Sequence, residues 1–161
     1  EKINICTVVG FPLGYSVTEA KVAETRKAIE DGANEIDMVV NISDVKNGLY
    51  QNVEEEIRTL KQECGDKILK VIIETCYLTE EEKIAMCKAV TNAGADYIKT
   101  STGFGTGGAT VEDIRLFRNY IGPNVRIKAA GGISTLEDLE AFVKEGCDRI
   151  GTSRAVGLLQ D

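Results

Sequence analysis

Six short, β-prone apolar runs alternate with amphipathic stretches along this chain of 161 residues. The runs lie near 3–10, 35–41, 68–74, 96–101, 125–130 and 148–152, and their mostly apolar character predicts strands covered on both faces. Helices with recognisable starts and stops are predicted between them. Ser16 and Glu19 are spaced for a capping box ahead of a helix that ends at Gly32, and Thr79 with Glu82 repeats the arrangement ahead of Gly94. Val53, Ile57, Leu60 and Cys64 share one stripe of a helix from about Asn52 to Cys64, stopped by Gly65. Thr110 and Thr135 are placed to cap two further helices, with Asp113 and Asp138 three residues on; these end at Gly122-Pro123 and Gly146. Strands that alternate with helices define an α/β fold with a parallel sheet.

One phrase recurs three times: Gly32-Ala33-Asn34-Glu35-Ile36-Asp37, Gly94-Ala95-Asp96-Tyr97-Ile98-Lys99 and Gly146-Cys147-Asp148-Arg149-Ile150-Gly151. Each copy follows a helix and enters a strand, with glycine at the left-handed position that ends helices. Asp37, Lys99 and Gly151 therefore stand at equivalent places on three strands. An open doubly wound sheet and a (β/α) barrel both fit the alternation. The first strand–helix turn, Gly10-Phe11-Pro12-Leu13-Gly14, lacks a dinucleotide fingerprint. Polar residues gather instead at the C-terminal ends of most strands: Asp37, Asn41, Glu74, Thr75, Lys99 to Thr102, Lys128, Thr152 and Ser153. Convergence of that kind onto one rim is the habit of a TIM barrel. Six strands of the usual eight predict a partial barrel, organised as a single domain over residues 1–161.

Lys99 and Lys128 sit near the ends of two such strands, each running into glycines. A lysine in an apolar run is costly to bury unless it has a partner or a task. Two amines facing one rim disfavour each other's protonation, and a neutral amine is what Schiff-base chemistry needs. Asp37 lies in an apolar strand where an unpaired carboxylate would be expensive. It is expected either to pair with a lysine such as Lys70 or to move protons beside the Schiff base, with the two roles compatible. Gly103-Phe104-Gly105-Thr106-Gly107-Gly108, Gly131-Gly132 and Gly151-Thr152-Ser153-Arg154 follow the last three strands. Such turns expose backbone N–H groups to an anion, and in barrels the loops after the last two strands commonly bind a phosphate, which makes Gly131, Gly132, Gly151 and Ser153 candidates for holding one, with Arg154 placed to add charge.

Composition narrows the field. The formal charge of −7, with no basic stripe, argues against nucleic acid, and no apolar run approaches a membrane span. The absence of histidine removes Ser-His and Cys-His nucleophile pairs and histidine-ligated zinc. Five cysteines without a CxxC pair are expected to be mostly small core residues in a reducing cytoplasm.

Together, Asn34-Glu35-Ile36-Asp37-Met38-Val39-Val40-Asn41, Lys70-Val71-Ile72-Ile73-Glu74-Thr75, Ala93 to Phe104, Lys128-Ala129-Ala130-Gly131-Gly132, Gly151-Thr152-Ser153 and the opening Thr7-Val8-Val9-Gly10-Phe11-Pro12-Leu13-Gly14 resemble the deoxyribose-phosphate aldolases from end to end. The resemblance implies a TIM barrel and a class I aldolase without metal or cofactor. Such an enzyme cleaves 2-deoxy-D-ribose 5-phosphate to glyceraldehyde 3-phosphate and acetaldehyde. By the same resemblance Lys99 is the Schiff-base lysine, Lys128 the lysine that perturbs it, and Asp37 the proton-relay partner. Gly103, Gly131, Gly132, Gly151 and Ser153 line the phosphate site. Relative to that family the chain begins at the third strand. Two unpaired sheet edges are then expected, covered by another copy of the chain or by a complementing segment. A non-catalytic remnant that assembles or binds phosphate, and another lysine-dependent aldolase on the same barrel, are the competing readings.

Overall fold

A computed structural model describes residues 3–159. Its strands are β1 (Cys6–Val9), β2 (Glu35–Val39), β3 (Ile68–Ile72), β4 (Tyr97–Lys99), β5 (Arg126–Ala130) and β6 (Arg149–Gly151). The helices are α1 (Thr18–Glu30), α2 (Ile42–Lys46), α3 (Tyr50–Cys64), α4 (Glu80–Asn92), α5 (Val111–Tyr120), α6 (Leu136–Lys144) and α7 (Ala155–Leu158). All strand pairs are parallel and the order is sequential, β1 to β6.

The sheet curls into part of a barrel, and side-chain reach proves it. Neighbouring strands lie about 4.8 Å apart, so β2 and β6 would stand roughly 19 Å apart in a flat sheet. Arg149 on β6 nevertheless bonds Glu35 on β2 at 2.5 Å, and Lys128 on β5 reaches Asp37 on β2 at 3.1 Å. Among the described residues, β1 and β6 each have one strand partner.

The thrice-repeated phrase sets this geometry position by position. Its glycines, Gly32, Gly94 and Gly146, take φ of 106°, 77° and 96° just past α1, α4 and α6, a region open to glycine without penalty. Its third residue closes the sheet's lower edge. Asn34 accepts the N–H of Ile5, just ahead of β1, at 3.1 Å, while Asp96 accepts that of Leu69 on β3 at 2.8 Å and Asp148 that of Ile127 on β5 at 2.8 Å. The fifth residue, Ile36, Ile98 or Ile150, faces outward to the helices. Ile36 and Ile98 are fully buried there with Met38, Leu69, Val71, Ile57, Leu60, Met86, Val90, Ile114 and Phe117. Alternation then turns the fourth and sixth residues inward, so the interior receives Glu35, Tyr97 and Arg149, followed by Asp37, Lys99 and Gly151.

Three expectations need correction. Ser16 does not cap α1; Val17 occupies the cap position without a side-chain bond, and the Thr18 hydroxyl is directed to Glu56 at 2.7 Å. The helix expected from about Asn52 starts two residues earlier and is not the first after β2. A short α2, capped by Asn41 through the Asp44 N–H, precedes α3, which starts at Tyr50. The strands are also shorter than their apolar runs, because the residues beyond them turn into rim loops. The boxes at Thr79–Glu82 and Thr135–Asp138 and the Thr110 cap form as expected. The stripe Val53, Ile57, Leu60 and Cys64 is buried as expected.

Candidate active site

Asp37 is the hub of the barrel interior. Its Oδ2 accepts from Lys99 Nζ at 2.8 Å and from Lys128 Nζ at 3.1 Å, so both amines reach one oxygen. Its Oδ1 accepts from Lys70 Nζ at 2.9 Å and from the Cys6 thiol at 3.3 Å. Strand register places these groups. Asp37 pairs with Lys70 across β2–β3, and Lys99 pairs with Lys128 across β4–β5. Side chains of register partners project from the same face, which here is concave.

A second ionic layer supports the first. Lys70, fully buried, also contacts Glu35 Oε2 at 2.5 Å, and that oxygen takes the Arg149 guanidinium at 2.5 Å. Asn4 donates to the other Glu35 oxygen at 2.9 Å. Arg149 and Arg126 lie 5.1 and 5.9 Å from the centre of the Tyr97 ring, within cation–π range. A continuous run of ion pairs thus extends from Arg149 through Glu35 and Lys70 to Asp37 and its two rim lysines.

Charge and burial compete at each group. Burial alone would raise the Asp37 pKa. The ammonium groups of Lys99 and Lys128, with hydrogen bonds from Lys99 and Lys70, outweigh it and hold the carboxyl well below the usual range. Glu35 is likewise opposed by burial, yet Arg149, Lys70 and Asn4 bring it down to about 2. Lys128 is lowered, first by burial and then by the charges of Lys99 and Lys70, against the pull of Asp37. Lys70 is raised, because Glu35 and Asp37 more than offset its burial. Burial and the Asp37 charge push the Cys6 thiol up.

These shifts set an acid limit on the fold. A carboxylate with a lowered folded pKa stabilises the native state fully above its unfolded pKa, and that contribution fades as pH falls toward the folded value. For Glu35 the window runs from 4.5 down to about 2, and Asp37 extends it from 3.8 downward. The urea midpoint of the chain is therefore expected to hold steady above pH 5 and to drop between pH 4.5 and 2. Glu35→Gln should flatten the upper part of that drop. Parallel curves for variant and parent would refute the assignment.

The glycine turns meet above this layer. A side chain at Gly108 would put Cβ 2.3 Å from the Gly131 carbonyl oxygen, so only glycine allows these two loops to touch. A Cβ on Gly131 would stand 3.2 Å from Gly108 Cα and 3.8 Å from Gly103 Cα, which brings Gly103 into the same junction. Gly132 follows in a left-handed conformation. Gly151 lies against the Lys128 side chain, its missing Cβ 3.4 Å from Lys128 Cε. Ser153 is exposed in the next turn, and its side chain makes no hydrogen bond among the described residues.

Sequence reasoning missed Glu35, Arg149 and Tyr97 as interior groups. The repeat carried the signal: all three hold its fourth position, two residues before Asp37, Gly151 and Lys99 on the same strand face. It also missed Lys21, fully buried and paired to Glu56 at 2.5 Å and to the Val39 carbonyl at 2.9 Å, outside the barrel. Cys64 and Cys87 are buried as expected, their thiols pushed up to about 11 and about 12, whereas Cys6 turns to Asp37 instead of joining the core.

A curled parallel sheet with its helices outside and a charged, lysine-bearing interior defines a (β/α)-barrel protein. The DeoC/LacD family aldolase model matches residues 1–160, and the chain belongs to that family. It is 79% identical over 160 residues to a deoxyribose-phosphate aldolase of Clostridium botulinum (strain Alaska E43 / Type E3), covering 99% of this chain and 72% of that protein. Among solved structures it superposes on the aldolase QR15 with a TM-score of 0.94 at 42% identity, over 98% of this chain and 72% of the other. The tetrameric deoxyribose phosphate aldolase of Aeropyrum pernix matches with a TM-score of 0.84 at 33% identity, over 98% and 67%. No helix among the described residues is long and apolar enough to cross a membrane.

Proposed function

We propose that this chain is a class I aldolase that reversibly cleaves 2-deoxy-D-ribose 5-phosphate to D-glyceraldehyde 3-phosphate and acetaldehyde through a Schiff base on Lys99. The observation that carries the reading is the convergence of the Lys99 and Lys128 amines on a single oxygen of Asp37. In the condensing direction, Lys99 passes a proton to the neighbouring Lys128 amine, its neutral nitrogen then attacks the acetaldehyde carbonyl, and the carbinolamine loses water to give an iminium. Loss of a proton from the adjacent carbon gives the enamine, which forms the new carbon–carbon bond to the carbonyl of glyceraldehyde 3-phosphate. Hydrolysis of the resulting iminium frees the amine and the sugar phosphate. Cleavage runs the same steps backward.

The surroundings divide the labour. Asp37 is kept ionised by its cationic partners, which suits it to orient the amines and to balance the iminium charge. Lys128, whose pKa is lowered, is the better proton carrier, since transfer is most efficient when donor and operating pH are matched. Gly103, Gly131, Gly132, Gly151 and Ser153 hold the phosphate through backbone N–H groups and a hydroxyl, with no metal or cofactor required by the chemistry. The free sides of β1 and β6 are covered by another copy of the chain or by a complementing segment; Ile5 and Val8 expose apolar surface along the first of them.

The exposed apolar side chains of Ile5 and Val8 also favour a second reading, a non-catalytic protein that assembles or binds a phosphate ligand. Borohydride reduction in the presence of acetaldehyde separates the two. The aldolase reading expects a stable ethyl adduct on Lys99, located by peptide mass spectrometry. Absence of an adduct on any lysine leaves the non-catalytic reading. A donor panel in which a ketone outperforms acetaldehyde would reject the substrate assignment.

A further inference from the structure

Glu74 is the single non-glycine residue with positive φ among the described residues, at 53°, and its side chain is 3% exposed. A left-handed conformation is unfavourable at such a residue and persists only where the surroundings over-determine it. The surroundings here are the loop after β4. Glu74 Oε1 accepts the Thr102 N–H at 3.1 Å, and Oε2 accepts the Thr102 hydroxyl. That hydroxyl in turn accepts the Phe104 N–H at 3.0 Å. Backbone bonds flank the clamp on both sides, from Ile73 N to the Lys99 carbonyl at 3.1 Å and from Thr75 N to the Thr100 carbonyl at 2.9 Å. Gly105 closes down on it, for a Cβ there would lie 3.2 Å from the Glu74 carboxyl carbon and 2.7 Å from Cys76 Sγ.

We propose that Glu74 is a positioning residue for the phosphate loop: its buried carboxylate fastens Thr102 and so fixes the backbone of 102–105, presenting Gly103 to the junction with Gly131. The proposal rests on the phosphate reading of that junction given above. Fastening by a carboxylate is unexpected beside an anion site, since its charge opposes a bound phosphate. Its value lies in geometry. A carboxylate accepts the Thr102 N–H and O–H together, turning both away from solvent, and the Thr102 hydroxyl holds the Phe104 N–H, which leaves the Gly103 N–H to the ligand.

Electrostatics and positioning predict opposite signs. Binding of glycerol 3-phosphate, an unreactive probe, is measured by calorimetry on the full chain alongside borohydride trapping of acetaldehyde at Lys99. Glu74→Ala is expected to weaken the probe about tenfold and Glu74→Gln, which retains one accepting oxygen, about threefold, as lost hydrogen bonds to a charged group would. Trapping at Lys99 should stay within about twofold in both, since the carboxylate does not touch the reacting amine. Glu74→Gly deletes the carboxylate while easing the backbone, and it should follow Glu74→Ala; it also serves should the alanine variant fail to fold. Unchanged affinity in these variants, or tighter binding by Glu74→Gln, overturns the proposal. A parent chain that traps acetaldehyde but ignores the probe refutes the phosphate site and the positioning role together. A parent that binds the probe but traps nothing refutes the lysine chemistry alone, and the positioning role then stands or falls on the variants' affinities.

Discussion

Lys99→Met is expected to abolish the reducible acetaldehyde adduct and to lower deoxyribose 5-phosphate cleavage by at least about 10⁴-fold, the scale on which losing a covalent nucleophile is felt. Methionine matches the length and flexibility of the lysine stem, so the 8%-exposed site keeps its packing. Removal of one ammonium leaves Asp37 with Lys70 at 2.9 Å and Lys128 at 3.1 Å, so the carboxylate stays compensated and the fold should persist. Lys128→Met is the informative contrast. It should retain the adduct on Lys99 while lowering turnover by about 10²–10⁴-fold, the range of a lost proton carrier. An adduct that survives in Lys99→Met and maps to Lys128 would exchange the two roles. Geometry alone does not forbid that, because both amines touch the same oxygen; the order is tested by where the label lands.

The repeated phrase is the reason so much of this fold was legible. One glycine, one amide-like or acidic residue, two inward positions and one outward isoleucine recur in each copy, and each performs the same physical task in the structure. Lys99, Lys128 and Asp37 were visible because charged groups in apolar strands demand an explanation. What escaped was long-range. The Arg149–Glu35 pair spans 114 residues of sequence and Lys21–Glu56 spans 35, and no local pattern reports a partner that far off. On α1 the deeply buried positions are Lys21 and Thr25, so a search for apolar stripes passes over the face that packs inward. The α2 helix was lost for a different reason. Five residues held by one Asn41 cap give too little periodicity to register. The Glu74 clamp had a trace, a glutamate at the end of an apolar strand, but its backbone angle is invisible without coordinates.

Asp37→Asn is expected to cost about 3–5 kcal/mol of stability at pH 7, the price of breaking a buried ion pair by removing one partner. The amide keeps the shape but offers one accepting oxygen where the carboxylate offered two. If that oxygen faces Lys99 and Lys128, the NH₂ group points at the Lys70 ammonium; if it turns to Lys70, two ammonium groups meet a donor. Either way the cluster of Lys70, Lys99, Lys128 and Arg149 is left with Glu35 as its remaining interior counter-charge. Such a cluster is relieved by releasing protons. In the variant, the native state then binds fewer protons than the unfolded chain, so its stability should climb as pH rises from 7 toward 10. The parent has no such climb to gain from Asp37, whose contribution is already complete above pH 4. A loss caused by packing alone would be the same at every pH. Urea midpoints of the two proteins at pH 7, 8.5 and 10 therefore decide the matter: a gap that narrows with pH supports electrostatic compensation by Asp37, and a constant gap removes the carboxylate from the centre of this site.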